Sequence, residues 1–167
     1  MLGLSVSQAA LALFVAVLPI CGWVIYTDLK FMKIRNVAVL ALVAVFAVAG
    51  FLVLPLEVWM WRWVHLPVIL VIGLLLNIAL GVGMGDVKFA AAAAPFFSAD
   101  PGRVMLAILL LQACLILCFA AHRIARAIPA VRAATPDWAS WGHKKFPFGL
   151  VLVATLLGYL GLIAAIT

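Results

Sequence analysis

The sequence is poor in charge, and acidic residues are the scarcest charged class. Five aspartates and glutamates stand against eleven lysines and arginines in 167 residues, and charged residues make up only 10% of the chain. In contrast, 69% of the residues are hydrophobic. A soluble domain of this size cannot bury so much apolar surface, so the composition predicts a protein that is solvated by lipid. The basic residues are scattered between apolar runs, which argues against a nucleic-acid-binding face.

Cysteine is also scarce. The three cysteines, Cys21, Cys114 and Cys118, lie within apolar runs, and none belongs to a CxxC pair. This spacing favours small buried apolar side chains over a disulfide framework or a zinc site. We therefore expect the chain to work without a metal or another cofactor.

Long apolar runs dominate what remains, and they predict an all-α integral membrane protein. A hydrocarbon core of ~30 Å needs a helix of ~20 residues. We expect a single membrane-embedded domain, 1–167, built as a polytopic bundle of about six transmembrane helices. The predicted helices are 8–27, 37–54, 66–82, 87–99, 104–121 and 148–166. The fourth is short, because its largely apolar part, 87–97, has eleven residues and rises only ~16 Å as a helix.

Three polar segments separate these helices. Residues 28–36 form a charged loop, and a tryptophan-rich loop between the second and third helices resembles an interfacial belt. Residues 122–147 form the longest polar stretch, and their tryptophans predict that it lies along the membrane surface. Residues 1–27 carry no charged side chain, which argues against a secretory signal, because such signals begin with basic residues.

The distribution of basic residues predicts an orientation. With six crossings, nine of them fall on one side of the membrane and two on the other. Cytoplasmic loops carry the excess of lysine and arginine, so we expect the nine to face the cytoplasm and both termini to lie outside. The nine are Lys30, Lys33, Arg35, Lys88, Arg123, Arg126, Arg132, Lys144 and Lys145, and the two are Arg62 and Arg103.

One short stretch places a carboxylate between two long apolar runs. Residues 83–88 read Gly-Met-Gly-Asp-Val-Lys, so two glycines precede Asp86. An ionisable residue at the edge of a membrane segment is costly, and by default it indicates a functional site with a partner. The best partner is Asp28, which the predicted topology also puts at a helix end on the cytoplasmic side. We predict that Asp28 and Asp86 are catalytic.

Two carboxylates that meet at partial burial cannot both ionise cheaply, so one of them keeps a proton. The ionised member can take a proton from water while the protonated member polarises a scissile carbonyl, which is aspartic-protease chemistry. Gly83 and Gly85 would let an extended substrate backbone approach closely, because they carry no side chain. Lys30 and Lys88 follow the two aspartates by two residues, and we interpret them as supporting interfacial anchors that contact an acidic group of the substrate.

Three segments carry a family resemblance. Residues 83–88 resemble the GxGDxK motif of the type IV prepilin peptidases, which are membrane aspartic proteases related in motif to presenilin. Residues 28–36 resemble that family's first aspartate segment, which commonly runs from Asp to Ile-Pro-Asn, although residues 34–36 here read Ile-Arg-Asn. Residues 145–149, Lys-Phe-Pro-Phe-Gly, resemble a Pro-Phe-Gly element before the family's last helix.

The resemblance implies an aspartic endopeptidase of the bacterial inner membrane that cleaves prepilin leaders on the cytoplasmic side. Larger members of the family carry a cysteine-paired cytoplasmic domain that is linked to methylation, and this sequence lacks it. The chain therefore resembles the short peptidases of Flp/Tad-type pilus systems. Its implied partners are prepilin or pseudopilin precursors and the lipid bilayer, with no nucleic acid.

Two other functions fit parts of the sequence. A proton- or ion-coupled transporter subunit could use Asp28 and Asp86 as relay groups. A relay should place acids near the middle of the membrane, usually between inverted repeats, and neither feature is visible in the sequence. A purely structural component of a secretion machine would need no aspartate pair at all.

Overall fold

The computed structural model describes residues 2–166, and these residues form helices joined by short turns. The α-helices are α1 (Val6–Phe31), α2 (Asn36–Val53), α3 (Leu56–Leu80), α4 (Met84–Ala93), α5 (Pro101–Ala127), α6 (Pro129–Ala134) and α7 (Gly149–Ile166). Helix α2 passes through a π-helical turn at Phe46–Gly50. A single 3-10 turn at Ala94–Phe96 follows α4, and another at Ala139–Trp141 precedes α7.

Five of these helices, α1, α2, α3, α5 and α7, are long and apolar enough to cross a membrane. The prediction of an all-α protein with several membrane-spanning helices is confirmed to that extent. The fourth predicted segment is short, as expected, because α4 has only ten residues. It is not among the five.

Helices α1 and α7 pack along each other and form the centre of the bundle. Leu13 and Val17 of α1 and Val153 and Leu156 of α7 are fully buried in this contact layer. In contrast, α5 is apolar along most of its length, yet among its residues only His122 is buried. A helix that is apolar but packs on one side only has its other faces suited to lipid.

Several helix boundaries differ from the predicted ones. The first predicted helix ends at residue 27, but α1 continues to Phe31, where Met32 adopts a left-handed conformation with φ 52° and its N–H bonds to the carbonyl of Asp28. Leu29 and Lys30 are good helix formers, so nothing stops the helix directly after Asp28. Asp28 therefore lies in the last turns of α1 and not in a loop. The tryptophan-rich segment also differs, because it forms the first turns of α3.

Helix α4 runs antiparallel to α3 and carries the chain from one end of the bundle towards the other. Val87 of α4 packs against Gly73 of α3, where a Cβ would lie 2.5 Å from Cγ1 of Val87. Further along, the carbonyl of Ala94 lies 3.3 Å from Nδ1 of His65, and Arg62 donates to the carbonyl of Phe96 at 3.3 Å. The alanine run of α4 allows this close helix contact.

Four chain segments meet at the opposite end, which we call the aspartate end because Asp28 and Asp86 lie there. Lys88 of α4 donates to Oδ1 of Asn36 at the start of α2, at 3.3 Å. The last turns of α1 contact the segment before α7 through an ion pair of 2.7 Å between Lys30 and Asp137. The two ends of the bundle are therefore chemically distinct.

Candidate active site

The aspartate end contains an open cleft of about 540 Å³. Its walls come from the last turn of α1 with the loop that follows it, from the residues between α3 and α4, and from the segment before α7. Both predicted catalytic residues, Asp28 and Asp86, line this cleft, as do Gly83 and Gly85. The structure thus brings together two carboxylates that are far apart in sequence.

Asp28 is held by the first residue of α7. Its side chain is buried, with 5% relative exposure, and its Oδ2 accepts a hydrogen bond from the N–H of Gly149 at 2.8 Å. A Cβ at position 149 would lie 2.7 Å from Oδ2 and 3.1 Å from Cγ of Asp28. Only glycine leaves room for the carboxylate at this position, so Gly149 supplies both a donor and the space to reach it.

Asp86 is the third residue of α4 and lies half-buried in the cleft. Its carboxylate folds back towards Gly83, where a Cβ would lie 2.6 Å from Oδ2. Burial first, and then the charge of the Asp28 carboxylate, raise the pKa of Asp86 to about 6, while the charge of Lys145 acts in the opposite direction. Asp86 therefore holds a proton at a higher pH than an ordinary aspartate does.

The two glycines of the motif differ in their surroundings. A Cβ at Gly85 would make ordinary van der Waals contact with Ile34, at 3.4 Å from its Cβ. A Cβ at Gly83 would collide with the Asp86 carboxylate. The sequence predicts that both glycines admit the substrate backbone, but Gly83 has a second role, because it makes room for Asp86.

The two lysines that the sequence predicts as supporting residues lie outside the lining of the cleft. Lys30 pairs with Asp137 and lies against the rings of Tyr26 and Phe31. Its hydrogen bond to Asp137 holds the pKa of that exposed carboxyl below its usual range. Lys88 is exposed and donates to Asn36. The structure therefore does not bring either lysine to the carboxylate pair.

Other basic residues line the cleft beside the two carboxylates. Lys33, His143 and Lys145 line the cleft, together with the rings of Phe146 and Phe148. The Lys-Phe-Pro-Phe-Gly run at 145–149 is the sequence signal that points to this wall, although the run itself gives no indication that Lys145 faces the site.

The segment that forms this wall is held in place by aromatic contacts. The His122 ring of α5 stacks on Trp141, with ring centroids 5.2 Å apart, and Phe146 meets the same histidine edge-on at 5.5 Å. The indole N–H of Trp141 donates to the carbonyl of Thr135 at 3.0 Å. The predicted polar stretch 122–147 begins within α5, which continues to Ala127, and its later part packs against His122 of that helix.

Within residues 2–166, no group of three or more histidine, cysteine, aspartate or glutamate side chains is arranged to hold a metal ion. The ionisable groups of the cleft are two carboxylates, two lysines and one histidine. Such a set supports general acid–base chemistry by the paired carboxylates. Comparison of the chain with protein-family models, curated proteins and solved structures finds no match.

Proposed function

We propose that the chain is a membrane aspartic endopeptidase that removes the basic leader of type IV or Flp-type prepilins or pseudopilins. The convergence of Asp28 and Asp86 in one cleft is the observation that carries the proposal. The Asp28 carboxylate is buried against the start of α7. The Asp86 carboxylate lies in the first turn of α4, where the charge of Asp28 acts on it. The resemblance of residues 28–36, 83–88 and 145–149 to the prepilin peptidases supports the choice of substrate.

We further propose that the chain lies in a bacterial inner membrane, which it crosses six times. The aspartate end then faces the cytoplasm, and both termini lie outside. The ion pair of Lys30 with Asp137 and the hydrogen bond of Lys88 to Asn36 support this arrangement, because they join the lysine-rich loops at one end. The close packing of α4 along α3 supports counting residues 87–99, which follow Asp86, as the fourth crossing. Excess positive charge favours the cytoplasmic side.

A proton- or ion-coupled transporter subunit is the alternative function. It would use the same two aspartates as relay groups, which normally lie near mid-membrane on a path between both sides. Asp28 and Asp86 instead lie together at one end of the bundle, in a cleft whose walls come from that end. This placement favours the peptidase.

Leader cleavage tests the proposed function directly. The chain is co-expressed with a small precursor that carries a basic leader, a glycine and then a long apolar run, and the product is analysed by N-terminal sequencing. We expect a shortened product whose new amino terminus lies just before the apolar run, and we expect the purified activity to survive metal chelators. Full-length precursor beside well-expressed protein, or activity that chelators abolish and zinc restores, would contradict the proposal.

The orientation can be tested by thiol labelling. Single cysteines at Arg35 and Ala139, both exposed at the aspartate end, should resist an impermeant thiol reagent in intact cells when the three native cysteines are removed. A cysteine at Met60, exposed near the start of α3, should react. All three should react after the membrane is made permeable. Labelling of the cysteine at position 35 from outside would contradict the proposed orientation and indicate the opposite one.

A further inference from the structure

The two carboxylates of the cleft have different hydrogen-bond partners. The buried Asp28 accepts a hydrogen bond from the backbone N–H of Gly149, at 2.8 Å. For Asp86, the structure of residues 2–166 contains no side-chain or backbone donor at hydrogen-bond distance from the carboxylate. A hydrogen bond donated to a carboxylate favours its ionised form.

Helix ends act on both aspartates, and their effects are weaker than a direct hydrogen bond. Asp28 lies at the carboxyl end of its own helix, which disfavours negative charge, but it also caps the amino end of the 18-residue α7, which favours it. Asp86 lies in the first turn of α4, which favours negative charge. A hydrogen bond to a charged acceptor contributes more than a single helix end does. Burial acts in the opposite direction, because Asp28, with 5% relative exposure, is more buried than Asp86. The donor at Gly149 offsets this cost for Asp28, and Asp86 has no counterpart to it among the described residues.

The charged groups around the pair do not reverse this difference. Lys33, His143 and Lys145 line the mouth of the cleft, and all three are exposed, so water screens their charges. The charge of Lys145 lowers the pKa of Asp86, but burial and the Asp28 charge outweigh it. Lys30, on the same helix as Asp28, is engaged by Asp137.

We propose that Gly149 is a positioning residue that keeps Asp28 as the ionised member of the pair, so that the single proton held between the two carboxylates rests on Asp86. Gly149 does so in two ways, through its N–H and through the absence of a Cβ that would push the carboxylate away. The consequence for catalysis rests on the proposed peptidase function.

The assignment gives each aspartate a defined role in each of two steps. The Asp28 carboxylate takes a proton from water, the water oxygen forms a bond to the scissile carbonyl carbon, and the carbonyl oxygen takes the proton of Asp86. Asp28 is then protonated and Asp86 ionised. In the second step Asp28 gives its proton to the amide nitrogen as the C–N bond breaks, and Asp86 recovers a proton from one hydroxyl of the tetrahedral intermediate. The products are an acid and an amine, and both carboxyls return to their starting state.

The location of the proton can be measured without any substrate. The full chain, labelled with ¹³C at the aspartate side-chain carboxyl carbon, is placed in lipid nanodiscs and titrated by NMR. The sequence has only four aspartates, so the signals are assigned with asparagine variants of Asp28, Asp86, Asp100 and Asp137. Interacting carboxyls titrate as a pair, so each carbon must be followed separately. We expect the chemical shift of the Asp86 carboxyl carbon to change at a higher pH than that of the Asp28 carboxyl carbon.

Two glycine variants test the role of Gly149. Gly149→Ala adds a Cβ that collides with Asp28. We expect the difference between the pH values at which Asp86 and Asp28 titrate to shrink or to change sign. Gly142→Ala, in the same segment, adds a Cβ with no atom within 4 Å and should leave both titrations as they are. An unchanged difference in a folded Gly149→Ala protein would overturn the positioning role. The wild-type titration provides a test that does not depend on how well this variant folds.

The outcomes separate this assignment from the proposed function. If Asp28 titrates above Asp86, or if both change at the same pH, the assignment falls, and leader cleavage by the same preparation would leave the peptidase proposal standing. If Asp86 titrates above Asp28 in a protein that cleaves no precursor, the order of ionisation is supported and the peptidase proposal falls.

Discussion

Asp28→Asn and Asp86→Asn should each lower leader cleavage by about 10³-fold or more, which is the scale of losing a group that acts in concert with another. Asparagine keeps the size and polarity of the side chain but cannot exchange a proton. Neither remaining carboxyl can both activate water and polarise the carbonyl. The double variant should be no worse than either single variant, because residues that act as a unit have non-additive effects. Precursor processing, measured by the shift in product mass, gives the rates.

Folding should survive these substitutions. The pKa of Asp86 is raised to about 6, so the folded protein favours its protonated form. The protonated Asp86 carboxyl makes its full contribution to stability below the ordinary aspartate pKa. This contribution is lost as the pH rises through about 6. At pH 7 the Asp86 carboxyl must either take up a proton or stay ionised at a burial cost, and asparagine avoids both. We therefore expect Asp86→Asn to match or exceed the wild-type melting temperature at pH 7.

Two other acidic residues serve as controls. Asp137→Asn breaks only the exposed ion pair with Lys30, and Glu57→Gln changes a residue near the start of α3, at the opposite end of the bundle. Surface ion pairs contribute little to stability, so both variants should cleave at close to the wild-type rate. Cleavage near the wild-type rate by a well-expressed Asp28→Asn or Asp86→Asn protein would refute a two-aspartate mechanism.

The sequence was informative where the membrane constrains the chain. Apolar runs of membrane length predict helices because backbone groups in lipid must be satisfied within the segment, and five such helices are present. Their ends were less predictable. The charged residues after Asp28 predict a loop that begins there, yet Leu29 and Lys30 continue the helix. Whether lipid or water surrounds that last turn is not encoded in local composition.

The site was predictable in its carboxylates and much less so in their neighbours. Asp28 and Asp86 stand out because acids are rare in this chain, and their positions next to apolar runs indicate function. The hydrogen bond from the N–H of Gly149 to Asp28 could not be predicted from the sequence, because it depends on a contact between the first and last long helices. The lysines illustrate the same limit. Lys30 and Lys88 are near the aspartates in sequence, whereas Lys33 and Lys145 reach the cleft through the fold.

Gly83→Ala and Gly149→Ala should each lower cleavage by about 10²-fold, which is the scale of displacing a catalytic group by ~1 Å. A Cβ at Gly83 would lie 2.6 Å from Oδ2 of Asp86, and one at Gly149 would lie 2.7 Å from Oδ2 of Asp28. Both distances are too short for a carbon and an oxygen, so each carboxylate must rotate away. The cleavage rate, compared with wild type at equal protein level, measures the effect.

Gly22→Ala and Gly142→Ala are the matched controls, because a Cβ at either position meets no atom within 4 Å. Both variants should cleave normally, and Gly22→Ala should stabilise α1 slightly, since alanine is the better helix former. Gly85→Ala separates two explanations of the motif. If the glycines serve only to admit the substrate backbone, Gly85→Ala and Gly83→Ala should lose activity alike. If Gly83 makes room for Asp86, Gly83→Ala should lose far more, because a Cβ at Gly85 meets Ile34 at an ordinary contact distance.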